Sequence, residues 1–433
     1  MSLSENRFNP MNMKLLYLLP LLLLNLSVFS QDFQPNYDES KIPPYTLPSL
    51  LMYNNGTPIT RSGEWALKRR PELLNLFESQ VYGKVPSGTV NIETKLLKEN
   101  LTLGGKAKMK QVRLTFSNEK GKNSMDILII LPNTDGKKAI FTGLNFYGNH
   151  TIINDPNVLI TTSWVDNNDN MKVTDHKATE ASRGLRENRW PVEMIIDRGY
   201  GVATIYYGDI DPDMNDLSDG IHKLFYENGQ TQPKPDEWGS IAAWAWGLSR
   251  VMDYFETDAD IDARKVAVMG HSRLGKTSLW AGASDPRFAI VISNDSGCGG
   301  SALSMRKIGE TVGRINTVFP HWFCDNFNQY NDNESALPVD QHMLIALVAP
   351  RPVYVCSAKE DFWADPKGEF LGAYLAGDVY KLYGLESLPT DTMPAVDQPI
   401  QKTVGYHIRT GGHDVMDFDW KAWMDFADMH FGR

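Results

Sequence analysis

The sequence predicts an α/β fold in which a mostly parallel sheet is covered by helices on both faces. Three observations predict it. From residue 200 onward, short apolar runs at 200–207, 265–269, 288–293, 352–357 and 404–409 have strand length without polar alternation, the pattern of strands buried on both faces. Segments with helical apolar spacing lie among them at 238–257, 274–283, 342–348, 369–383 and 420–431. Short strands alternating with helices in this way form a parallel sheet.

The remaining elements follow in order. Residues 31 to about 60 are rich in Pro, Asn and Tyr and read as an extended lead-in, and 69–80 has helical spacing. Alternating runs at 90–97 and 110–116 suggest antiparallel strands, and 125–132 and 138–146 enter the main sheet. Two segments break the alternation: a polar, Asn/Asp-rich stretch at 149–195, ending in an expected helix through 182–190, and a second excursion at 296–340. Insertions at the carboxyl ends of parallel strands shape the ligand crevice, so both are candidate substrate-binding surface. No internal repeat or linker divides the chain, and residues 31–433 read as a single domain.

A hydrophobic content of 42% allows a large core and excludes global disorder. A formal net charge of −10 argues against nucleic acid or an anionic membrane as partner. Lys14 followed by the apolar run 15–29, with small residues near Ser30, reads as a secretory signal peptide over 1–30, hence a secreted or periplasmic protein. The run is too short to span a membrane. Of the cysteines, Cys298 and Cys324 flank one loop-rich excursion and are the expected pair if a disulfide forms; Cys356 reads as a small core hydrophobe. No cysteine–histidine spacing resembles a zinc site, and no metal or cofactor is expected.

The chemistry centres on GHSRLGK at 270–276, between a strand and a helix. A serine on that sharp turn, Ser272, has its hydroxyl raised above the sheet edge, where the helix N-terminus favours a developing oxyanion. The same letters match the phosphate-binding pattern G-x-x-x-x-G-K-T through Gly270, Gly275, Lys276 and Thr277. Against that reading stand the export signal, the bulky His271 and Arg273 inside the loop, and a downstream acid and histidine in triad order. His413 follows the last strand after two glycines, where a general base reaches back over the nucleophile; His271, His321 and His407 are weaker candidates. For the acid, Asp361 and Asp295 each follow a strand end, and both stay open, with Asp361 preferred. Glu360 is adjacent but should point elsewhere. Together these features predict a serine ester hydrolase of the α/β-hydrolase fold, a three-layer sandwich with loop insertions around the cleft.

GHSRLGK, the strand-end run SNDSGCGG at 293–300, EDFWADP at 360–366 and GGH at 411–413 together resemble the glucuronoyl esterases, carbohydrate esterase family 15, from about residue 60 to the end. The resemblance implies cleavage of esters between 4-O-methyl-glucuronic acid on xylan and lignin alcohols. Separately, the protein is expected to be a monomer. It implies Ser272 as nucleophile, His413 as base and Arg273 holding the oxyanion. Lys276, Glu310 and Trp363 would bind the uronate ring, and the insertion after Gly148 would deepen the cleft. An acetyl-xylan esterase is the neighbouring alternative. From the residues alone, Lys276 lies one helical turn after Ser272 on the same face, and Trp363 in a strand-end loop suits stacking on a pyranose.

Overall fold

The computed structural model describes residues 33–432, so the expected signal peptide lies outside the described residues. Within them, β1 (Asn91–Thr102), β2 (Ala107–Asn118) and β3 (Gly121–Pro132) form an antiparallel ribbon on one edge of a nine-stranded sheet. The parallel part comprises β4 (Lys138–Asn145), β5 (Gly201–Tyr206), β6 (Ile261–His271), β7 (Ile290–Asn294), β8 (Val353–Ala358) and β9 (Val404–Arg409). The order is β1-β2-β3-β5-β4-β6-β7-β8-β9. The chain passes from β4 to β5 on one side, crosses back to β6 on the other, and then advances strand by strand. The strand order reverses between β4 and β6, and the successive parallel pairs set the carboxyl ends of β6, β7, β8 and β9 side by side next to that switch point, the position at which open α/β sheets hold ligands.

Alternation along each strand feeds two separate cores. Val266 and Val268 of β6, Val291 of β7 and Val353 and Val355 of β8 pack on one face, against helices Ser240–Thr257, Arg273–Ser284, Gln341–Ala346 and Pro366–Leu382. Ala267, Met269, Ile290, Ile292, Tyr354 and Cys356 pack on the other, against helices Val192–Asp197 and Asp417–Phe431. Each fully buried aliphatic or aromatic side chain contributes roughly 1.5–3 kcal/mol, which explains why these strands carry no polar alternation. The result is the three-layer α/β-hydrolase sandwich. Among the described residues, no helix is long and apolar enough to cross a membrane.

Two expectations are corrected. The helix through 182–190 is absent; a single 3-10 turn, Glu180–Ser182, is followed by turns, and the α-helix begins only at Val192. Gly184 sits at φ 71°, and the amides of Gly184 and Arg186 donate to His150 and Thr151 across the excursion, which removes them from a helical ladder. Cys298 and Cys324 are not paired: both are buried free thiols. Cys324 is turned toward the amides of Asn326 and Phe327 in its own loop, while Cys298 lies near Lys276 and Glu310. Cys356 is a core residue in β8, its sulfur 3.0 Å from the Trp423 indole nitrogen.

The turn from β6 into helix Arg273–Ser284 requires a bare backbone at Gly270, where a Cβ would stand 1.9 Å from the Leu274 carbonyl oxygen. Gly270→Ala is therefore expected to lower unfolding free energy by about 1–3 kcal/mol. Urea denaturation checks this, and an unchanged midpoint would contradict the close packing.

Candidate active site

Four strand ends deliver the candidate residues to one cleft of about 330 Å³, lined by Ser272, Arg273, Lys276, Asp295, Glu310, Phe319, Trp322, Asp361, Trp363 and His413 among others. Every site residue expected from the sequence lines it. Ser272, immediately after β6, has φ 59° and ψ −129°, a sparsely populated backbone region for a non-glycine residue. Its amide donates to the Asn294 carbonyl at 2.9 Å, and its carbonyl accepts from Gly275 (2.8 Å) and Lys276 (3.1 Å). The turn is thus tied to β7 on one side and to the first helical turn on the other. The amide of Arg273, in that first turn, has no intrahelical acceptor and forms part of the positive end of the helix dipole.

His413, in the loop after β9, is 42% exposed, and its Nδ1 lies 2.6 Å from Asp361 Oδ2. Asp361 caps a 3-10 turn after β8. Asp295, after β7, is also within 4.8 Å of both groups, but its partners are different. Its Oδ2 accepts from Arg409 at 3.3 Å and from the Asn294 side chain at 3.3 Å, and its Oδ1 has no partner. Burial, reinforced by the nearby Glu369 carboxylate, pushes the Asp295 carboxyl well above its usual value. Of the two open candidates, Asp361 is the one in hydrogen-bond contact with the histidine. The other histidines are engaged elsewhere. His271 is buried, with its ring 4.4 Å from that of His413 and Nδ1 3.0 Å from Asn294 Nδ2. His407 bonds Asp419 at 2.8 Å in the interior, and His321 bonds Asp213 at 2.8 Å.

Lys276 and Glu310 form the polar floor. Lys276 is buried, donates to the Ser296 carbonyl at 2.7 Å and stands 3.9 Å from Glu310 Oε2. Burial lowers the pKa of the lysine and raises that of the glutamate, each against the pull of the other. Glu310 is therefore not a solvating surface carboxylate; its side chain is 8% exposed and bonds to Trp363, which stands at the cleft rim. The lysine donates to one carbonyl and has a carboxylate as its neighbouring charge, whereas a phosphate-cradling lysine faces an anionic ligand among free backbone amides. The excursion 296–340 supplies Ser296, Gly297, Glu310, Phe319 and Trp322 to the lining. The excursion 149–195 contributes no lining residue; it reaches the site through Arg189, 2.5 Å from Asp414 beside His413.

Sequence reasoning missed Asp213, Tyr207 and Trp322. Asp213 contacts the Arg273 guanidinium and also accepts from His321, Trp322 and Tyr207. Its one sequence signal was an acid in the loop after β5, at the same sheet edge as the other strand-end residues. It also missed Glu369, whose Oε1 accepts from the Ser296 and Gly297 amides (2.7 and 2.9 Å) and the Ser301 hydroxyl (2.7 Å), and whose Oε2 accepts from Ser357 (2.7 Å). These bonds tie down the loop that forms one wall of the cleft.

Burial raises the Glu369 pKa despite those bonds. A carboxyl raised in the folded state favours folding while protonated, so its contribution is full below the usual glutamate pKa and is lost as pH climbs through the folded value. Between about pH 5 and pH 8, wild type should lose on the order of 1 kcal/mol of stability relative to Glu369→Gln. Urea unfolding at both pH values checks this; parallel curves would contradict it.

A family model of glucuronyl esterases from fungi matches residues 189–384. A carbohydrate esterase of an unknown prokaryotic organism is 54% identical over 404 residues, 93% of this chain and 94% of that one. A 4-O-methyl-glucuronoyl methylesterase of Wolfiporia cocos is 37% identical over 195 residues, 43% of this chain and 47% of that one. Among solved structures, a promiscuous CE15 esterase from a marine bacterial metagenome superposes with TM-score 0.87 at 54% identity, covering 92% of this chain and all (100%) of that one. A glucuronoyl esterase from Solibacter usitatus superposes with TM-score 0.85 at 46% identity, covering 91% and 100%. With more than half its residues identical to a carbohydrate esterase across nearly the full length of both, and with the same fold, the chain belongs to carbohydrate esterase family 15.

Proposed function

We propose that this protein is a serine esterase hydrolysing esters of 4-O-methyl-glucuronic acid through an acyl-enzyme on Ser272. The observation that carries the proposal is the 2.6 Å contact between His413 and Asp361 in the cleft that also holds Ser272 and the Lys276–Glu310 floor. With His413 Nδ1–H donated to Asp361, the lone pair on Nε2 is available for the serine proton.

As Ser272 Oγ bonds to the ester carbonyl carbon, its proton passes to His413. The carbonyl oxygen gains the charge, which the Arg273 amide and guanidinium stabilise. Breaking the bond to the alcohol oxygen leaves acyl-Ser272, and the alcohol departs with the proton from His413. Water repeats the sequence, giving His413 a proton as it attacks, and the acid is released as Ser272 recovers its hydrogen. Asp361 orients the imidazole and offsets its positive charge. Lys276 and Glu310 suit the ring hydroxyls of a sugar acid as donor and acceptor, and Trp363 offers an apolar ring face at the rim. The apolar run at 15–29 supports export, as a polysaccharide-bound ester would require.

Ser272→Ala should reduce hydrolysis of benzyl glucuronate by about 10⁴-fold or more with the fold intact. Wild type should prefer that ester to acetylated xylan; the reverse preference would turn the assignment to an acetyl-xylan esterase. Asp361→Asn should lower kcat by roughly 10²–10⁴-fold, and Asp295→Asn by less than about 10-fold. The opposite ranking, in steady-state kinetics, would transfer the acid role to Asp295.

A further inference from the structure

We infer that Asp213 is a positioning residue that holds the Arg273 guanidinium ready for the oxyanion, a role that rests on the esterase reading above. Arg273 lies among three rings, its Cζ 4.6 Å from the Trp322 centroid, 5.3 Å from Phe319 and 5.9 Å from Phe146. Phe319 and Trp322 are themselves stacked at 3.7 Å and 1°. An aromatic box of this kind attracts the cation but does not fix its rotation, and a free arginine retains considerable rotamer entropy. A directional anchor is needed, and Asp213 supplies it.

Both oxygens of Asp213 are saturated by donors from separate elements. Oδ2 accepts from Arg273 Nη1 and from the Tyr207 hydroxyl at 3.0 Å. Oδ1 accepts from His321 Nε2 at 2.8 Å and from Trp322 Nε1 at 2.7 Å. A carboxylate held from both sides cannot swing toward solvent, so the guanidinium it binds cannot either. Burial alone would push the Asp213 carboxyl up, but the His321 bond, the Arg273 charge and the Trp322 bond outweigh it and hold the group well below the ordinary range.

Asp213 engages Nη1 alone, and the Arg273 side chain remains 27% exposed in the lining of the cleft. Trp322 serves both sides, stacking on the cation with its ring and bonding the anchor with its N–H. The excursion 296–340 thus completes the site from behind as well as lining it.

The test is a double-mutant cycle in kcat and KM for benzyl glucuronate, run beside the rate at which an aryl phosphonate inactivates the enzyme by phosphonylating Ser272. Asp213→Asn preserves shape and removes the charge; it should lower kcat and the phosphonylation rate by about 10- to 100-fold with KM within about 3-fold. Tyr207→Phe, which removes one donor to the anchor, should give a drop of a few fold and carries the test if the first variant fails to fold. In an Arg273→Ala background neither substitution should change either rate by more than about 2-fold, because the role passes through Arg273. Wild-type rates in Asp213→Asn, or losses that multiply in the Arg273→Ala background, would overturn the role. If wild type is phosphonylated yet hydrolyses no uronate ester, the substrate reading fails while Asp213 is still judged on the phosphonate rates. Failure of both reactions in wild type overturns both.

Discussion

At Ser272 the chain must leave a central strand and enter a helix within one residue, and the backbone does so at φ 59°. Such a conformation costs on the order of 1–3 kcal/mol for a non-glycine residue, and most of the surrounding structure serves to offset it. The serine amide is bound to β7 and its carbonyl to the helix. Gly270 lets the Leu274 carbonyl pass where a side chain would stand. Two apolar layers clamp β6 from both faces, so the turn has nowhere to relax. The turn also places Ser272 in the lining of the cleft, beside the first turn of the helix. Stability supplied by the sheet thus holds the strained position that the proposed chemistry uses.

Charge in the cleft is organised in pairs, and each pair has a distinct use. Asp361 faces His413 and Asp213 faces Arg273, so both cationic partners of the proposed chemistry have a fixed counter-ion. Lys276 and Glu310 stand 3.9 Å apart, longer than a direct hydrogen bond, and remain able to meet ligand hydroxyls. A buried pair such as Lys276 and Glu310 repays its desolvation poorly as a stabilising element. Under the proposed function, these pairs at one sheet edge serve as preorganisation, with dipoles and charges aimed before a substrate arrives. Asp295 shows the contrast: equally close in the fold, it spends one oxygen on Arg409 and Asn294 and leaves the other unpartnered.

Much of the strand and helix order was legible because buried parallel strands and amphipathic helices write their periods into the sequence. Residues 404–409 coincide with β9, and 238–257 with a helix starting at Ser240. The failures occur where long-range contacts override local preference. Residues 182–190 have helical composition, yet bonds from Gly184 and Arg186 to His150 and Thr151 hold them in turns. Cys298 and Cys324 flank a single excursion, but Cys324 is turned into its own loop and Cys298 toward Lys276 and Glu310.

By itself the sequence determined the sheet, the strand-end placement of Ser272, Asp295, Asp361 and His413, and the class of chemistry those residues suit, because each rests on local pattern and chain order. Only the tertiary structure decided which aspartate meets the histidine, a matter of one loop's exit angle that no periodicity records. It also decided that Glu310 is buried against Lys276, and that His321, Tyr207 and Trp322 converge on Asp213, which in turn meets Arg273. These side chains lie up to 115 residues apart in the chain. Their meeting depends on how an excursion folds back over the sheet, and that is set by packing rather than by any local signal.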